Sequence, residues 1–187
     1  MTSSVLLVAA TRAEAADLPA DLPLVVTGIG KTPAAVAVTR ALLAYADPAS
    51  VHVVNLGTAG ALRPGVTGLH VPSEVVNHDL NADAIRTLGY DPGERIALHA
   101  PDGPVLASGD VFVTDPAVRD RLAAEAHLVD MEGYAVAYAA RALGARVTLV
   151  KHVSDGADDT AWDWPTQVAA SARALGRWCA EHRDRLG

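Results

Sequence analysis

Three short, mainly apolar runs constrain what this chain can fold into. Residues 5–10, 24–27 and 51–56 are rich in valine and leucine, and none of them alternates apolar with polar side chains. Such runs are typical of strands that are covered on both faces, as in a parallel sheet. Between the second and third runs, residues 32–45 have the pattern of a helix capped by Thr32. A strand, a helix and another strand in this order predict a parallel crossover.

The rest of the chain continues this alternation less regularly. We predict further strands over residues 69–79, 105–113, 127–130 and 146–153, of which 105–113 is bent and broken at Gly109. Further helices are predicted over 116–126, 132–143 and 164–185. Residues 80–104 are predicted to be mostly loop, because glycine and proline interrupt them repeatedly. The predicted fold class is therefore α/β: a single three-layer αβα domain over residues 1–187 with a mostly parallel mixed sheet.

Composition excludes several classes of partner. The net charge is -7 and the basic residues are scattered, which argues against binding to nucleic acid or to an anionic membrane. The single cysteine, Cys179, excludes an intramolecular disulfide and is expected to pack in a helix. The apolar run near the start is interrupted by Arg12 and Glu14, so we interpret it as a strand rather than a signal peptide. A cytoplasmic protein is expected.

Polar residues and glycines gather where the predicted strands end. In parallel α/β sheets, ligands bind outside the carboxyl ends of the strands. The segments that follow the predicted strands are residues 11–14, 28–31, 57–60, 108–112, 131–132 and 154–158. We therefore expect a site that is assembled from these segments.

Common cofactor motifs do not fit the sequence. The Gly-Ile-Gly-Lys-Thr segment at 28–32 lacks the first glycine of a P-loop, since Val25 occupies that position, and Pro33 replaces the third glycine of a dinucleotide motif. A tight turn close to a ligand explains it better. Three side chains could be imagined as metal ligands but have no convincing complement elsewhere: His78, Asp79 and Asp83. No metal and no cofactor is expected.

Two acidic residues fall at positions that should be largely buried. Asp155 ends a buried strand, and Glu132 starts a helix directly after an apolar segment. A carboxylate removed from water is costly unless it is paired or used. For Glu132, capping of the helix and catalysis explain the position equally well. For Asp155, catalysis is slightly favoured.

Five segments together resemble the purine nucleoside phosphorylase and uridine phosphorylase superfamily, in particular its 5'-methylthioadenosine/S-adenosylhomocysteine nucleosidase branch. They are Val-Thr-Gly-Ile-Gly-Lys (26–31), Val-Val-Asn-Leu-Gly-Thr-Ala-Gly-Ala-Leu (53–62), Ser-Gly-Asp-Val-Phe-Val (108–113), Val-Asp-Met-Glu-Gly (129–133) and Val-Ser-Asp-Gly-Ala-Asp (153–158). Each is weak alone, but they occur in family order at the predicted strand ends. The resemblance implies a nucleoside phosphorylase-like fold and hydrolysis of a purine nucleoside.

The resemblance also implies residue roles. Asp155 corresponds to the general acid at N7 of the leaving purine, Glu132 to the glutamate that holds the ribose hydroxyls, and Glu14 to the carboxylate that activates water. In an oxocarbenium-like transition state, positive charge develops on the sugar and negative charge on the leaving purine. A general acid beside the purine and carboxylates beside the sugar stabilise these charges. The residues implied in substrate binding are Phe112, which would stack on the base, Val113, whose backbone would bond to it, and Met131, Thr58 and Ser154, which would line the site.

The sequence favours hydrolysis over phosphorolysis. Asn55 replaces the arginine of the phosphorylases, and Glu14 makes an anion pocket unfavourable, although Arg12 keeps a phosphorylase possible. Aspartate at 155 favours an adenosine-type nucleoside, such as 5'-methylthioadenosine or S-adenosylhomocysteine. A futalosine hydrolase, a purine nucleoside phosphorylase and a non-catalytic nucleoside-binding paralogue remain alternatives. Segments that border the 5' side in relatives are shorter here. The resemblance also implies a homodimer.

Overall fold

A computed structural model describes residues 4–186, and over this range the chain forms nine strands and six α-helices. The strands are β1 (Ser4–Ala9), β2 (Leu24–Val26), β3 (Val51–Ala61), β4 (Leu69–His70), β5 (Glu74–Asn77), β6 (Arg95–Ala97), β7 (Val105–Ser108), β8 (Leu128–Asp130) and β9 (Arg146–Asp155). The helices are α1 (Lys31–Leu42), α2 (Ala82–Thr87), α3 (Pro116–Ala123), α4 (Gly133–Ala142), α5 (Trp164–Glu181) and α6 (Arg183–Leu186).

The strands join into one mixed sheet. Its path runs β2-β1-β3-β8-β7-β5-β6, while β9 pairs with β3 and β4 pairs with β9. The neighbours β1–β2, β1–β3, β3–β9, β5–β7 and β7–β8 are parallel, and β3–β8, β4–β9 and β5–β6 are antiparallel. Strand β3 pairs with three strands: with β1 through residues 51–55, with β9 along most of its length, and with β8 through its last residues Gly60 and Ala61. The predicted mostly parallel mixed sheet is therefore confirmed.

Helices cover both faces of the sheet. Helices α1 and α4 pack together over one face, where Val38 and Val136 join side chains of β1, β3 and β9 in the core. Helix α5 covers the opposite face, where Leu175 and the buried Cys179 contact Val54 and other strand residues. The predicted three layers are confirmed. None of the helices within residues 4–186 is both long enough and apolar enough to cross a membrane.

The predicted boundaries were wrong in several places. Residues 69–79 form two strands rather than one, since Pro72 and its neighbours separate β4 from β5. Residues 80–104 are mostly loop, as predicted, but they also contain α2 and β6. Strand β7 ends at Ser108, directly before the predicted break at Gly109, and does not continue to residue 113. Strands β3 and β9 run further than predicted, so Gly57–Gly60 lie within β3 rather than after it, while Asp155 is the last residue of β9, as the sequence indicated. Thr32 is not the cap of α1, because the helix begins one residue earlier, after Gly30.

Candidate active site

A cavity of about 390 Å³ opens where β1, β3, β8 and β9 end or approach their ends. The structure brings all eight residues implied by the sequence to its lining: Glu14, Thr58, Phe112, Val113, Met131, Glu132, Ser154 and Asp155. They come from five separate segments of the chain. The roles of these residues stay predictions, but their convergence on one cavity is a property of the fold.

Glu14 is held at the cavity wall by two threonines. One carboxylate oxygen accepts hydrogen bonds from the backbone N–H and the hydroxyl of Thr58, both at 2.9 Å. The other oxygen accepts from the backbone N–H and the hydroxyl of Thr11, both at 3.0 Å. The side chain is only 4% exposed. Four donors on one carboxylate fix its position, so Glu14 presents a defined face to the cavity.

Trp164 extends this network from the start of α5. Its indole Nε1 donates to Thr58 Oγ1 at 2.9 Å, and the same hydroxyl donates to Glu14. Since an indole N–H can only donate, this contact directs the hydroxyl hydrogen of Thr58 towards the glutamate. Helix α5 therefore helps to orient Glu14, which lies far from it in sequence.

Glu132 does not cap the helix that it precedes. It occupies the N-cap position of α4, but its side chain makes no capping hydrogen bond. Instead, Asp130 accepts from the N–H of Gly133 at 2.9 Å, and the hydroxyl of Ser108 accepts from the N–H of Tyr134 at 3.0 Å. The capping interpretation of Glu132 is thus wrong, because other side chains satisfy the free N–H groups of the helix.

The Glu132 carboxylate turns towards the cavity and the turn before α1. Its Oε1 accepts from the backbone N–H of Gly30 at 2.8 Å. Gly30 has a φ of 99°, a conformation that side chains other than glycine rarely adopt, and this places the N–H towards Glu132. The adjacent N–H of Lys31 donates to Asp110 at 2.7 Å. The glycine-rich segment at 28–31 is thus a tight turn beside the cavity, as the sequence indicated.

The surroundings of Glu132 favour its protonated form. Burial raises the pKa of Glu132 from 4.5 to about 7, and the nearby carboxylate of Asp130 adds to the increase. The ammonium of Lys151 and the N–H of Gly30 oppose it. Only 8% of Glu132 is exposed. A carboxyl group in this position changes charge near neutral pH.

Asp155 lies at the end of β9 and is half-buried. Its two oxygens accept hydrogen bonds, one from the hydroxyl of Ser154 at 2.7 Å and the other from the N–H of Ala157 at 2.9 Å. Gly60 lies close to it: a Cβ added there would stand 2.9 Å from Asp155 Oδ1. Glycine at this position leaves the space that the carboxyl group occupies.

Apolar side chains form the mouth of the cavity. Phe112 and Trp162 meet edge to face, with ring centroids 5.4 Å apart. Trp162 is 68% exposed, and Ile29, Val111 and Phe112 are also exposed on this rim. Such a rim suits a flat aromatic ligand, which can stack on one ring and contact the edge of another.

The lining carries negative charge. Among the described residues, four carboxylates and no lysine, arginine or histidine line the cavity: Glu14, Asp130, Glu132 and Asp155. Arg12 is exposed and lies outside the lining. Asn55 is buried and also lies outside the lining. Its side chain donates to the carbonyl of Val8 and accepts from Lys151. Neither residue supplies a cation to the cavity.

The sequence profile of the phosphorylase superfamily matches residues 21–180. The chain belongs to the phosphorylase superfamily. A relative from a Marinomonas species, a 5'-methylthioadenosine/S-adenosylhomocysteine nucleosidase, is 30% identical over 161 residues, which cover 72% of this chain and 68% of that one. An aminodeoxyfutalosine nucleosidase from Helicobacter pylori is 28% identical over 156 residues, which cover 71% of this chain and 66% of that one.

Solved structures place this superfamily member in the same fold. The structure of a futalosine hydrolase mutant from Helicobacter pylori superposes with a TM-score of 0.85 at 22% identity, covering 98% of this chain and 100% of that one. The α/β fold predicted from the sequence is confirmed by this likeness. The family resemblance predicted from five short segments is confirmed by the sequence match.

Sequence reasoning missed several residues of this superfamily member's cavity. Thr11 belongs to the segment 11–14 that was expected at the site, but its contact with Glu14 was not predicted. Trp164 contacts Thr58 from the start of α5, and nothing in its local sequence indicates this contact. Asp130, which lines the cavity, and Lys151, which pairs with Asp130, could have been found, because each is a charged residue inside a predicted strand. Within residues 4–186, no cluster of three or more histidine, cysteine or acidic residues could hold a metal. Asp79 instead pairs with Lys31.

Proposed function

We propose that this chain hydrolyses the N-glycosidic bond of a purine nucleoside. The observation that carries the proposal is the charge of the cavity: four carboxylates line it, and none of the described lining residues is a cation. Cleavage of such a bond leaves positive charge on the sugar, which carboxylates stabilise, whereas a phosphate nucleophile would be repelled. The names of the relatives, which are nucleosidases, support the same reaction class.

Three carboxyl groups divide the chemistry in this proposal. Asp155 protonates the leaving base at N7 and so neutralises the charge that accumulates on it. Glu14, fixed by its four hydrogen bonds, orients and activates the attacking water. Glu132 accepts hydrogen bonds from the sugar hydroxyls. The acid lies beside the purine, where negative charge develops, and the two carboxylates lie beside the sugar, where positive charge develops. This arrangement matches the charge distribution of the transition state.

Apolar groups hold the base in this proposal. Phe112 stacks on the purine and the backbone of Val113 bonds to its edge, while Met131, Thr58 and Ser154 surround the sugar and the base. All five line the cavity. An aspartate that donates to N7 and then accepts from an exocyclic amine favours 6-aminopurines. A mismatched 6-oxo group costs about 1–3 kcal/mol, which corresponds to about 5- to 150-fold in kcat/KM.

We favour an adenosine-type substrate with a 5'-thioether, such as 5'-methylthioadenosine or S-adenosylhomocysteine, with a place in methionine salvage. The second candidate is an aminodeoxyfutalosine or futalosine substrate, because one of the relatives is an aminodeoxyfutalosine nucleosidase. Both candidates share the same bond and the same three carboxyl groups. They differ in the 5' group and, for futalosine, in the base.

The test is incubation with each nucleoside in phosphate-free buffer, followed by chromatography of the products. We expect free adenine and a free sugar from methylthioadenosine, at the same rate with and without added phosphate. A strict phosphate requirement and a sugar 1-phosphate product would assign the chain to the phosphorylases, and Arg12 would then be the first residue to mutate. A higher kcat/KM for inosine or futalosine than for the adenine nucleosides would contradict the predicted base preference.

We further propose that residues 1–187 form one domain, that the protein is cytoplasmic and that it is a homodimer. Support for one domain is the single continuous sheet. Support for a dimer is the exposure of the apolar side chains Ile29, Val111 and Trp162 beside the cavity, since exposed apolar surface can mark an interaction site. Sedimentation at micromolar concentration tests the dimer, and a species with the single-chain mass of 19.3 kDa would contradict it.

A further inference from the structure

A closed ring of hydrogen bonds lies beside the cavity. Lys31 Nζ donates to Asp79 Oδ1 and, at 2.7 Å, to Asn77 Oδ1. Asp79 Oδ2 accepts from the backbone N–H of Asp110 at 2.8 Å, and Asp110 Oδ1 accepts from the backbone N–H of Lys31 at 2.7 Å. These three residues, which we call the Lys31 network, lie outside the cavity lining and connect three segments that are distant in sequence.

The Lys31 network holds one end of the segment that carries Phe112. Asp110 is bound through both its backbone N–H and its carboxylate. No backbone group of residues 111–113 makes a hydrogen bond to any part of the chain that the structure describes. At the other end, Val113 is buried among apolar side chains. Phe112 lies between these two anchors, and its ring meets that of Trp162 edge to face. A shift of Asp110 would therefore move Phe112.

The network also holds the turn that binds Glu132. The consecutive N–H groups of Gly30 and Lys31 donate to two different carboxylates. Gly30 donates to Glu132 Oε1 at 2.8 Å, and Lys31 donates to Asp110 Oδ1 at 2.7 Å. A Cβ added to Gly30 would stand 3.0 Å from Asp110 Oδ1, so glycine leaves room for this close approach. One turn thus links the carboxylate proposed for the sugar with the segment proposed for the base.

Stability explains the Lys31 network poorly. The side chains of Lys31 and Asp79 are 19% and 22% exposed, and that of Asp110 is 51% exposed. Ion pairs with such access to water contribute little to the free energy of unfolding. The network does, however, join two segments that line the cavity, at Ile29 and at residues 111–113. What these contacts determine is the geometry of the cavity mouth.

We propose that Lys31 is a positioning residue: its ammonium holds Asp79, and Asp79 together with the Lys31 N–H holds Asp110, so that Phe112 stays at the mouth of the cavity. The contact of Phe112 with a purine rests on the proposed function, whereas the position of Phe112 in the free protein does not. Without the ammonium, the carboxylates of Asp79 and Asp110 would repel each other, and the segment would move away from the turn.

Fluorine NMR can follow Phe112 alone, because the chain contains a single phenylalanine. Protein labelled with 4-fluorophenylalanine gives one resonance, which depends on the Trp162 ring at a centroid distance of 5.4 Å. Trp162→Leu provides the resonance of a protein that has lost this contact. Lys31→Met removes the ammonium but keeps the backbone N–H, and it should move the wild-type resonance towards that of Trp162→Leu. Asp110→Ala should move it in the same direction.

Two variants serve as controls. Asp110→Asn keeps an oxygen that accepts from the Lys31 N–H, so it should retain the wild-type resonance that Asp110→Ala loses. Arg183→Met breaks an exposed ion pair with Asp21, and neither residue lines the cavity, so the resonance should not move.

A wild-type resonance in Lys31→Met would overturn the proposal. If Lys31→Met does not fold, the double variant Lys31→Met/Asp79→Asn takes its place, because it also lacks the ammonium but leaves residue 79 uncharged. Its resonance should also move towards that of Trp162→Leu, and a wild-type resonance there would equally overturn the proposal.

Kinetics separates a positioning role from a purely structural one. If Phe112 holds the base, its displacement in Lys31→Met should raise KM about 2- to 10-fold, as expected for a weakened aromatic contact. The value of kcat should change less, because Asp155 and Glu14 make no contact with the network. A structural ion pair would lower Tm and leave both KM and the resonance unchanged.

The two readouts also distinguish this inference from the proposed function. If the wild-type protein released no base from any nucleoside, the proposed function would fail, whereas the NMR comparison would still decide what positions Phe112. A moved resonance with an unchanged KM would overturn the part of the proposal that concerns the base.

Discussion

Replacement of Glu132 by glutamine should stabilise the folded protein above neutral pH. The pKa of Glu132 rises from 4.5 to about 7 because the carboxyl group is buried and lies near Asp130. Between these values the folded chain holds a proton that the unfolded chain releases, so stability falls as pH increases through this window. Glutamine has the same shape and still accepts from the N–H of Gly30, but it carries no charge.

The size of the effect follows from the shift. Each pKa unit corresponds to about 1.4 kcal/mol, so above pH 7 the ionised Glu132 costs roughly 3 kcal/mol in the free energy of unfolding. Below about pH 4.5 this cost vanishes, because both states are protonated. For a domain of this size, about 3 kcal/mol corresponds to a rise in Tm of about 6–12 °C.

Urea unfolding followed by tryptophan fluorescence, at pH 5 and pH 8, measures the difference between Glu132→Gln and wild type. We expect a small difference at pH 5 and a large stabilisation at pH 8. Glu125→Gln, at an exposed position, serves as the control and should change little at either pH. A gain that is equal at the two pH values, or a loss at pH 8, would refute the electrostatic reasoning.

Three further predictions concern the same cavity. Asp155→Asn should lower kcat by about 100-fold or more while nucleoside binding persists; a calorimetric Kd near wild type with turnover within a few-fold of wild type would contradict this role. Thr58→Val removes a donor to Glu14 and leaves the Trp164 N–H without its acceptor, so urea unfolding should show a loss of about 1–3 kcal/mol, part of which Trp164→Phe should restore. Gly60→Ala places a Cβ 2.9 Å from Asp155 Oδ1, so it should displace the carboxyl group and lower kcat while Tm changes little. Unchanged turnover would show that the carboxyl group can move without loss of activity.

The layers of the fold could be predicted from the sequence because they follow from local apolar patterns. The runs that became β1 and the first half of β3 are mainly apolar, and the structure buries most of their residues. The run that became β2 was predicted to be covered on both faces, but β2 is an edge strand in which Leu24 and Val26 are exposed. The ends of β3 and β9 could not be predicted in the same way. Gly57 and Thr58 look like loop residues locally, but pairing with Lys151 and His152 continues the strand. Strand length here depends on a partner that is distant in sequence.

In the candidate site, too, some features could be predicted from the sequence and others depend on contacts between distant segments. The eight residues taken from the family resemblance converge on one cavity, since the segments that carry them all lie at one edge of the sheet. Helix capping by Glu132 was an equally good interpretation from sequence, and it was excluded only by the contacts of Asp130 and Ser108 with the first turn of α4. The supporting contacts of Trp164 depend on how α5 packs, which local sequence does not encode.

The charges of the site also connect its stability with its chemistry. Burial of Glu14, Asp130 and Glu132 around one ammonium leaves the floor of the cavity with more negative than positive charge, and this opposes folding. A cavity optimised for stability alone would pair or remove these groups. The same excess of negative charge favours a cationic sugar in the transition state and disfavours an incoming phosphate. The cost that Glu132→Gln is expected to relieve is therefore the electrostatic feature that we expect hydrolysis to use, so the variant should gain stability and lose turnover together.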